Sequence, residues 1–171
     1  MNDIEMIKEL YQAAEGATLD LVKFVSFFSD DAYVRNVPTG QEFRGKDIAT
    51  VAGGMAVAFP DIHREIFNIY AMDGVVVVEL AIRGTHRGNL ATPAGVLPPS
   101  GNRIDVPCCD VFHVMDGKVV AFHCYNMASI MQQQLGLSDS LERPEFQEPD
   151  RSGARENRVK FQKAPAYDER A

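Results

Sequence analysis

The chain has 171 residues, 46% of them hydrophobic and 24% charged, which is the composition of an ordinary globular domain. Its formal net charge of −7 excludes the broad basic face that nucleic-acid binding needs, so we expect no nucleic-acid partner. Three cysteines make no disulfide framework, and no stretch resembles a signal peptide or a membrane span. These features predict a cytoplasmic protein without a membrane partner.

Helices are predicted in the N-terminal part of the chain. Asn2-Asp3 is a cap pattern, and a second helix is expected after Thr18, running to Phe28. A third is expected over 45–58, because Pro60 stops a helix. The apolar stripe of the first helix, at helical spacing, comprises Ile4, Ile7, Leu10 and Tyr11.

Strands follow the helices. Residues 32–37 are predicted as a short strand, and 62–72 and 75–86 as two longer strands joined by an Asp-Gly turn. A proline-rich loop is expected over 89–102 and a short helix over 127–135. Helices followed by a strand meander predict an α+β domain, with helices covering one face of a curved antiparallel sheet and a pocket at its mouth.

Residues 103–126 are predicted to form a long hairpin around Asp116-Gly117. Side chains of a strand alternate between faces, so Asp110 lies in an apolar row with Cys108 and Phe112. An ionised carboxylate is disfavoured there unless a partner or water reaches it. Asp110 is therefore the candidate functional residue of the hairpin.

The sequence of this hairpin is compatible with two registers of strand pairing. A two-residue turn places Asp110 opposite His123. A type I turn with a glycine bulge at Gly117 shifts the pairing by one residue and places Asp110 beside Phe122 and Cys124. The choice decides which side chains share a face with the carboxyl group.

Over about residues 4–136 the sequence resembles the SnoaL-like polyketide cyclases of the nuclear transport factor 2-like superfamily. The resemblance implies a cone-shaped fold in which N-terminal helices pack on a strongly curved antiparallel sheet. The segments that carry it are Phe59-Pro60-Asp61, Gly84-Thr85-His86-Arg87-Gly88, Leu97-Pro98-Pro99-Ser100-Gly101, Asp110-Val111-Phe112-His113-Val114-Met115-Asp116-Gly117-Lys118-Val119 and Gln134-Leu135-Gly136.

The resemblance also implies where the chemistry lies. Matching residues 116–136 to the family pattern places its acid/base aspartate at Cys124 and its pocket histidine at Asp110. The resemblance thus implies that the family's usual catalytic base is absent here, and that an ionisable side chain, Asp110, lies instead on the preceding strand. Because the two family positions share a face, the resemblance favours the bulged register.

Asp110 is the predicted catalytic acid/base, since removal of a proton next to a carbonyl suits a carboxylate whose pKa is raised by burial. A structural carboxylate, hydrogen bonded to a tyrosine or to backbone, is an equal alternative. His86 is the expected donor to an enolate oxygen, against a turn-stabilising or solvent-facing role. Tyr33 is the expected hydrogen-bond donor at the pocket mouth.

The remaining candidates are predicted to bind substrate as the pocket wall. Cys124 as a nucleophile would need a nearby cation or base, and a small buried apolar role is favoured. No metal is predicted, because His123 and Cys124 point to opposite faces of one strand. The predicted wall residues are Cys108, Phe112, Phe122 and Cys124.

The function expected from these features is a cofactor-independent cyclase, isomerase or dehydratase that acts by proton transfer on a hydrophobic, polyketide-like carbonyl compound. The alternative is a non-catalytic small-molecule-binding or dimerisation module that has lost the family's acid/base position. We expect a pocket domain over 1–137 and a polar tail, disordered or loosely docked, over 138–171. A homodimer is expected through outward-facing valines, namely Val75, Val77, Val111 and Val119.

Overall fold

The computed structural model describes residues 2–92 and 95–137. Its helices are α1 (Asp3–Ala14), α2 (Leu21–Ser26), α3 (Ile48–Ala58) and α4 (Ala128–Gln134). α1 begins with a capping box, in which the Asn2 side chain accepts the Glu5 N–H and the Glu5 side chain accepts the Asn2 N–H. The three predicted N-terminal helices are confirmed, but α2 ends two residues before the predicted Phe28, where the chain enters the first strand.

Six strands form the main sheet, in the order β2, β1, β8, β7, β4, β3. Neighbours are antiparallel except β1 and β8, which are parallel. A separate pair, β5 and β6, lies within the segment predicted as a loop. The strands are β1 (Phe28–Asn36), β2 (Gln41–Arg44), β3 (His63–Met72), β4 (Val75–Thr85), β5 (Leu90–Thr92), β6 (Gly95–Leu97), β7 (Arg103–Met115) and β8 (Lys118–Asn126).

The core lies between the helices and one face of this sheet. Val78 and Phe112 are fully buried, and they pack in one cluster with Ile7 and Leu10 of α1. Val119 belongs to the same cluster and is fully buried, so its predicted place on the outer face is wrong. The other three valines predicted to face outwards are only partly exposed.

In the β7–β8 hairpin, Asp110 pairs as the bulged register predicts. The bulge that produces this pairing lies in β8 and not in the turn. Asp116 and Gly117 have φ angles of 51° and 70°, which identifies a two-residue turn rather than a turn with a glycine bulge. The register shifts further along, where Val120 is the extra residue of a bulge. Asp110 consequently pairs with Cys124 and not with His123.

The described helices include none that is both long and apolar enough to cross a membrane. The predicted C-terminal tail, 138–171, lies outside the described residues, so the predicted domain boundary stays a prediction.

Candidate functional site

The buried face of β7 presents a carboxyl group to the first helix. Asp110 is only 3% exposed, and the Tyr11 hydroxyl donates a 2.7 Å hydrogen bond to its Oδ2. Tyr11 projects from the apolar stripe of α1 and is itself buried. A polar side chain in an apolar stripe needs a partner inside the core, and here two such side chains satisfy each other across the helix–sheet interface.

Two thiols complete the surroundings of the carboxyl group. The Cys108 thiol donates to Asp110 Oδ1 at 3.2 Å, and the Cys108 and Cys124 sulfurs are 3.6 Å apart. The Asn126 amide lies 3.5 Å from the Cys124 sulfur and 3.4 Å from Asn36 Oδ1. The ligand atoms of Cys108, Asp110 and Cys124 all lie within 4.8 Å of one another, so these three could hold a metal ion together.

Burial controls the protonation of this cluster. It raises the pKa of the Asp110 carboxyl, and hydrogen bonds from Tyr11, Cys108 and Cys124 offset only part of that rise. Burial and then the nearby Asp110 raise the pKa of the Tyr11 hydroxyl well above its usual value. The hydrogen bond to Cys124, followed by burial, raises the pKa of the Cys108 thiol. Tyr11 and Cys108 therefore keep their protons and are hydrogen-bond donors at neutral pH, while the pKa of the Asp110 carboxyl lies above its ordinary value.

Aromatic rings close one side of the cluster. Phe112 and Phe122 stack with centroids 4.3 Å apart, and Tyr11 meets Phe112 edge-on at 5.8 Å. The predicted wall residues thus share the buried face with Asp110. Cavities of about 400 and 430 Å³ are lined by other residues, and Asp110, at 3% exposure, is enclosed by protein in this conformation.

The structure does not bring His86 to the carboxyl group. Asp110 pairs with Val78, and His86 follows eight residues later, about 26 Å further along the strand direction. Its ring is fully buried beside Phe59 and accepts the Ser100 N–H at Nδ1, while its backbone bonds Asn102. His86 holds the proline-rich loop in place, so the prediction that it assists Asp110 is wrong.

Tyr33 is also misplaced by the sequence prediction. Its hydroxyl lies 2.8 Å from Nε2 of His123, which points away from the face that carries Cys124. The Arg44 guanidinium stacks over its ring at 4.8 Å. Tyr33 therefore belongs to the outer face of the sheet, and the expected donor at the pocket mouth is wrong.

Sequence reasoning missed Tyr11 as a functional residue, although it placed Tyr11 in the buried stripe. The available signal was its hydroxyl, since this side chain is the one with a polar tip in a stripe otherwise made of Ile4, Ile7 and Leu10. It also missed Asn126, whose amide contacts the Cys124 sulfur and Asn36 Oδ1.

Several solved structures share this fold. AclR from Streptomyces galilaeus, assigned as a hydroxylase, is 23% identical with a TM-score of 0.67, over 80% of this chain and 82% of AclR. IdmH from Streptomyces antibioticus, assigned as a polyketide cyclase, is 22% identical with a TM-score of 0.66, over 80% of this chain and 99% of IdmH. A Catenulispora acidiphila protein of ketosteroid isomerase-like fold, solved with trimethylamine, is 17% identical with a TM-score of 0.64, over 78% and 93% of the chains. The likeness at these identities concerns the fold, and it confirms the nuclear transport factor 2-like architecture.

The sequence itself gives the family. No curated protein sequence matches the chain. The family model for SnoaL-like polyketide cyclases matches residues 5–134, which is well over half of the chain and includes most of α1, the whole main sheet and the Tyr11–Asp110 pair. The chain therefore belongs to the SnoaL-like polyketide cyclase family.

Proposed function

We propose that this protein is a cofactor-independent enzyme that moves a proton next to a carbonyl group of a hydrophobic, polyketide-like small molecule. The reaction class is cyclisation, isomerisation or dehydration. The observation that carries the proposal is the buried Asp110 carboxyl, whose pKa is raised by burial and whose Oδ2 lies 2.7 Å from the Tyr11 hydroxyl. Membership of the family supports the reaction class.

Asp110 acts as the base in the first step. Its carboxylate takes a proton from the carbon next to the substrate carbonyl, and the electron pair of the broken C–H bond forms an enolate. A raised pKa favours this step because the carboxyl group then accepts a proton more readily near neutral pH. An apolar wall of Phe112 and Phe122 suits a hydrophobic substrate.

Tyr11 takes the role that the sequence assigned to His86. Its hydroxyl turns from Asp110 to the substrate oxygen and donates to the negative charge that develops there. In a cyclisation, the enolate carbon attacks a second carbonyl carbon of the same molecule, and the new alkoxide recovers the proton from Asp110. In an isomerisation, Asp110 returns the proton to another carbon.

Substrate access requires movement, since Asp110 is enclosed in the described conformation. The Tyr11 hydroxyl covers the carboxyl group from the side of α1, and the Phe112 ring packs against the Tyr11 ring. An outward shift of α1 opens this side, and binding energy from the apolar substrate offsets the lost contacts. The half-buried Cys124 and Asn126 mark the more open side of the cluster.

The direct test is exchange of the substrate proton with solvent deuterium. A panel of polyketide-like carbonyl compounds is incubated in D₂O with the wild type, and NMR follows loss of the proton next to the carbonyl. Asp110→Asn is expected to slow exchange by about 10²- to 10⁴-fold, the usual contribution of general acid–base catalysis. Asp105→Asn, on the exposed part of the same strand, is the matched control and should exchange normally. Equal exchange by wild type and Asp110→Asn would contradict the proposal.

A non-catalytic binding module is the second candidate, and the enclosure of Asp110 favours it. Two donors, Tyr11 and Cys108, already satisfy the carboxyl group, as expected for a structural hydrogen-bond acceptor. The family resemblance places the acid/base aspartate of the family at Cys124. Gain of aldol cyclisation by Cys124→Asp would support a diverged cyclase, whereas no activity of either protein across the panel would leave the binding module.

We also propose a cytoplasmic homodimer that pairs through the outer sheet face. Val75, Val77 and Val111 lie on that face and are partly exposed. A dimer buries these valines without reaching Asp110, which faces the other way. Light scattering at high micromolar concentration should give twice the chain mass of 18.9 kDa. A mass of 18.9 kDa at that concentration would refute the dimer.

A further inference from the structure

We propose that Cys108, Cys124 and Asp110 form a binding site for a thiophilic divalent metal ion, of which Zn²⁺ is the best match. This inference does not rest on the proposed enzymatic function. It rests on three ligand atoms that the hairpin brings together on one face of two neighbouring strands.

Two of the three separations between these atoms are close to those of a tetrahedral site. Bonds of about 2.3 Å to sulfur and about 2.0 Å to oxygen place two sulfurs about 3.8 Å apart and a sulfur and an oxygen about 3.5 Å apart. The Cys108 and Cys124 sulfurs are 3.6 Å apart, and Cys108 Sγ lies 3.2 Å from Asp110 Oδ1. All three ligand atoms lie within 4.8 Å of one another, so closing the separation between Cys124 and Asp110 to about 3.5 Å takes a movement of up to about 1.3 Å. His123, which points to the other face, is not needed as a ligand.

The neighbours of these ligands suit an outer shell. The Tyr11 hydroxyl holds Oδ2 of Asp110 and leaves Oδ1 directed at the thiols. An oxygen that binds a metal is commonly part of a carboxylate whose second oxygen is held in this way. The Asn126 amide contacts the Cys124 sulfur, where it can donate to a thiolate or supply its own oxygen to the ion.

The chemical type of these ligands also indicates which metal ion would bind. Thiolate ligands favour Zn²⁺ over Mg²⁺ and Ca²⁺, which prefer all-oxygen sites. Cys124 is half-buried, so an ion can reach it, while Cys108 is 7% exposed and holds the ion away from water. A bound ion at Oδ1 would lower the basicity of the Asp110 carboxylate, so metal binding opposes proton transfer.

Proton release gives the first test, because a thiol must lose its proton to bind a metal ion. Reduced, chelator-treated full-length chain is titrated with Zn²⁺ by calorimetry in two buffers of different ionisation enthalpy. The expected result is one ion per chain, with two protons released by the thiols and a third by Asp110 below its pKa. Binding should tighten steeply as pH rises. Absence of stoichiometric binding, or binding without proton release, would overturn the proposal.

Substitution gives the second test, with Co²⁺ as a spectroscopic probe of thiolate ligation. Wild type should show a thiolate-to-cobalt charge-transfer band. Cys108→Ser and Cys124→Ser should lose the band and weaken Zn²⁺ binding by about tenfold or more. Cys109→Ser is the matched control, since Cys109 lies on the same strand but on the opposite face, and it should keep both.

Three other results would contradict the proposed metal site. A band that persists in Cys108→Ser and Cys124→Ser, or one that Cys109→Ser abolishes, would contradict the site. Binding without the thiolate band would assign the ion to imidazoles such as the His113–His123 pair on the outer face, and would equally contradict it. Circular dichroism checks whether each variant is folded. Where a serine variant does not fold, the Zn²⁺ titration of the wild type still tests the proposal.

Discussion

Replacing Asp110 by asparagine separates a catalytic carboxyl group from a structural one. The amide has nearly the same shape and keeps one acceptor oxygen, which can retain the 2.7 Å hydrogen bond from Tyr11. Its NH₂ group replaces the oxygen that accepts the Cys108 thiol at 3.2 Å. The substitution therefore removes one weak hydrogen bond and one ionisable group from the core.

These two changes act in opposite directions on the free energy of unfolding. Loss of a weak neutral hydrogen bond costs about 0.5 kcal/mol, the low end of the usual range. Removal of a desolvated carboxyl group stabilises the fold wherever that group would ionise. We expect the free energy of unfolding at pH 7 to change by less than about 1 kcal/mol, while proton exchange of the substrate falls by about 10²- to 10⁴-fold.

Urea denaturation followed by circular dichroism measures the stability change, with Asp105→Asn as control for the substitution itself. A structural acceptor predicts a different result, because a donor left unpaired in the core costs about 1–3 kcal/mol. Destabilisation in the upper part of that range, with the control unchanged, would refute the reasoning that leads from burial to catalysis.

The other predictions concern the partner, the pH and the fold. Tyr11→Phe leaves Oδ2 of Asp110 without its donor, so we expect a loss of about 1–3 kcal/mol in urea denaturation, and no loss would refute the pairing. The folded chain holds the Asp110 proton more tightly than the unfolded chain, so this group's stabilising contribution is complete below about pH 4 and is lost as pH rises through the folded pKa. The difference in free energy of unfolding between wild type and Asp110→Asn should therefore change with pH in the same way. A difference that does not change with pH would contradict the raised pKa of Asp110. Gly88→Ala places a Cβ 1.9 Å from the Val57 carbonyl oxygen and should cost about 1–3 kcal/mol, whereas Gly54→Ala meets no atom within 4 Å and should gain up to about 1 kcal/mol.

Much of the fold could be predicted because its signals are local. The stripe of α1, the strand alternation and the two Asp-Gly turns each depend on residues close in sequence. Alternation alone placed Asp110 on the buried face with Cys108 and Phe112. The pairing with Cys124 was reached through the family resemblance, while the bulge at Val120 that produces it has no local signature.

The partners of the site could not be predicted in the same way. Tyr11 and Asp110 are separated by 99 residues, and only the packing of α1 on β7 brings them together. The imidazole chemistry favours His86 as a donor, but the strand length between His86 and Asp110 keeps them apart. The hydroxyl favours Tyr33, but its neighbours Ala32 and Val34 are buried, so alternation along β1 assigns Tyr33 to the other face.

The proposed activity depends on a carboxyl group whose pKa is raised by burial. The most direct test is a pH titration of the Asp110 carboxyl carbon by NMR in protein with ¹³C-labelled aspartate, assigned by comparison with Asp110→Asn. We expect a midpoint above the ordinary aspartate pKa of about 3.9, because desolvation outweighs the hydrogen bonds from Tyr11 and Cys108. A midpoint at or below about 3.9 would mean that those hydrogen bonds outweigh burial, and it would contradict the assignment of Asp110 as the base.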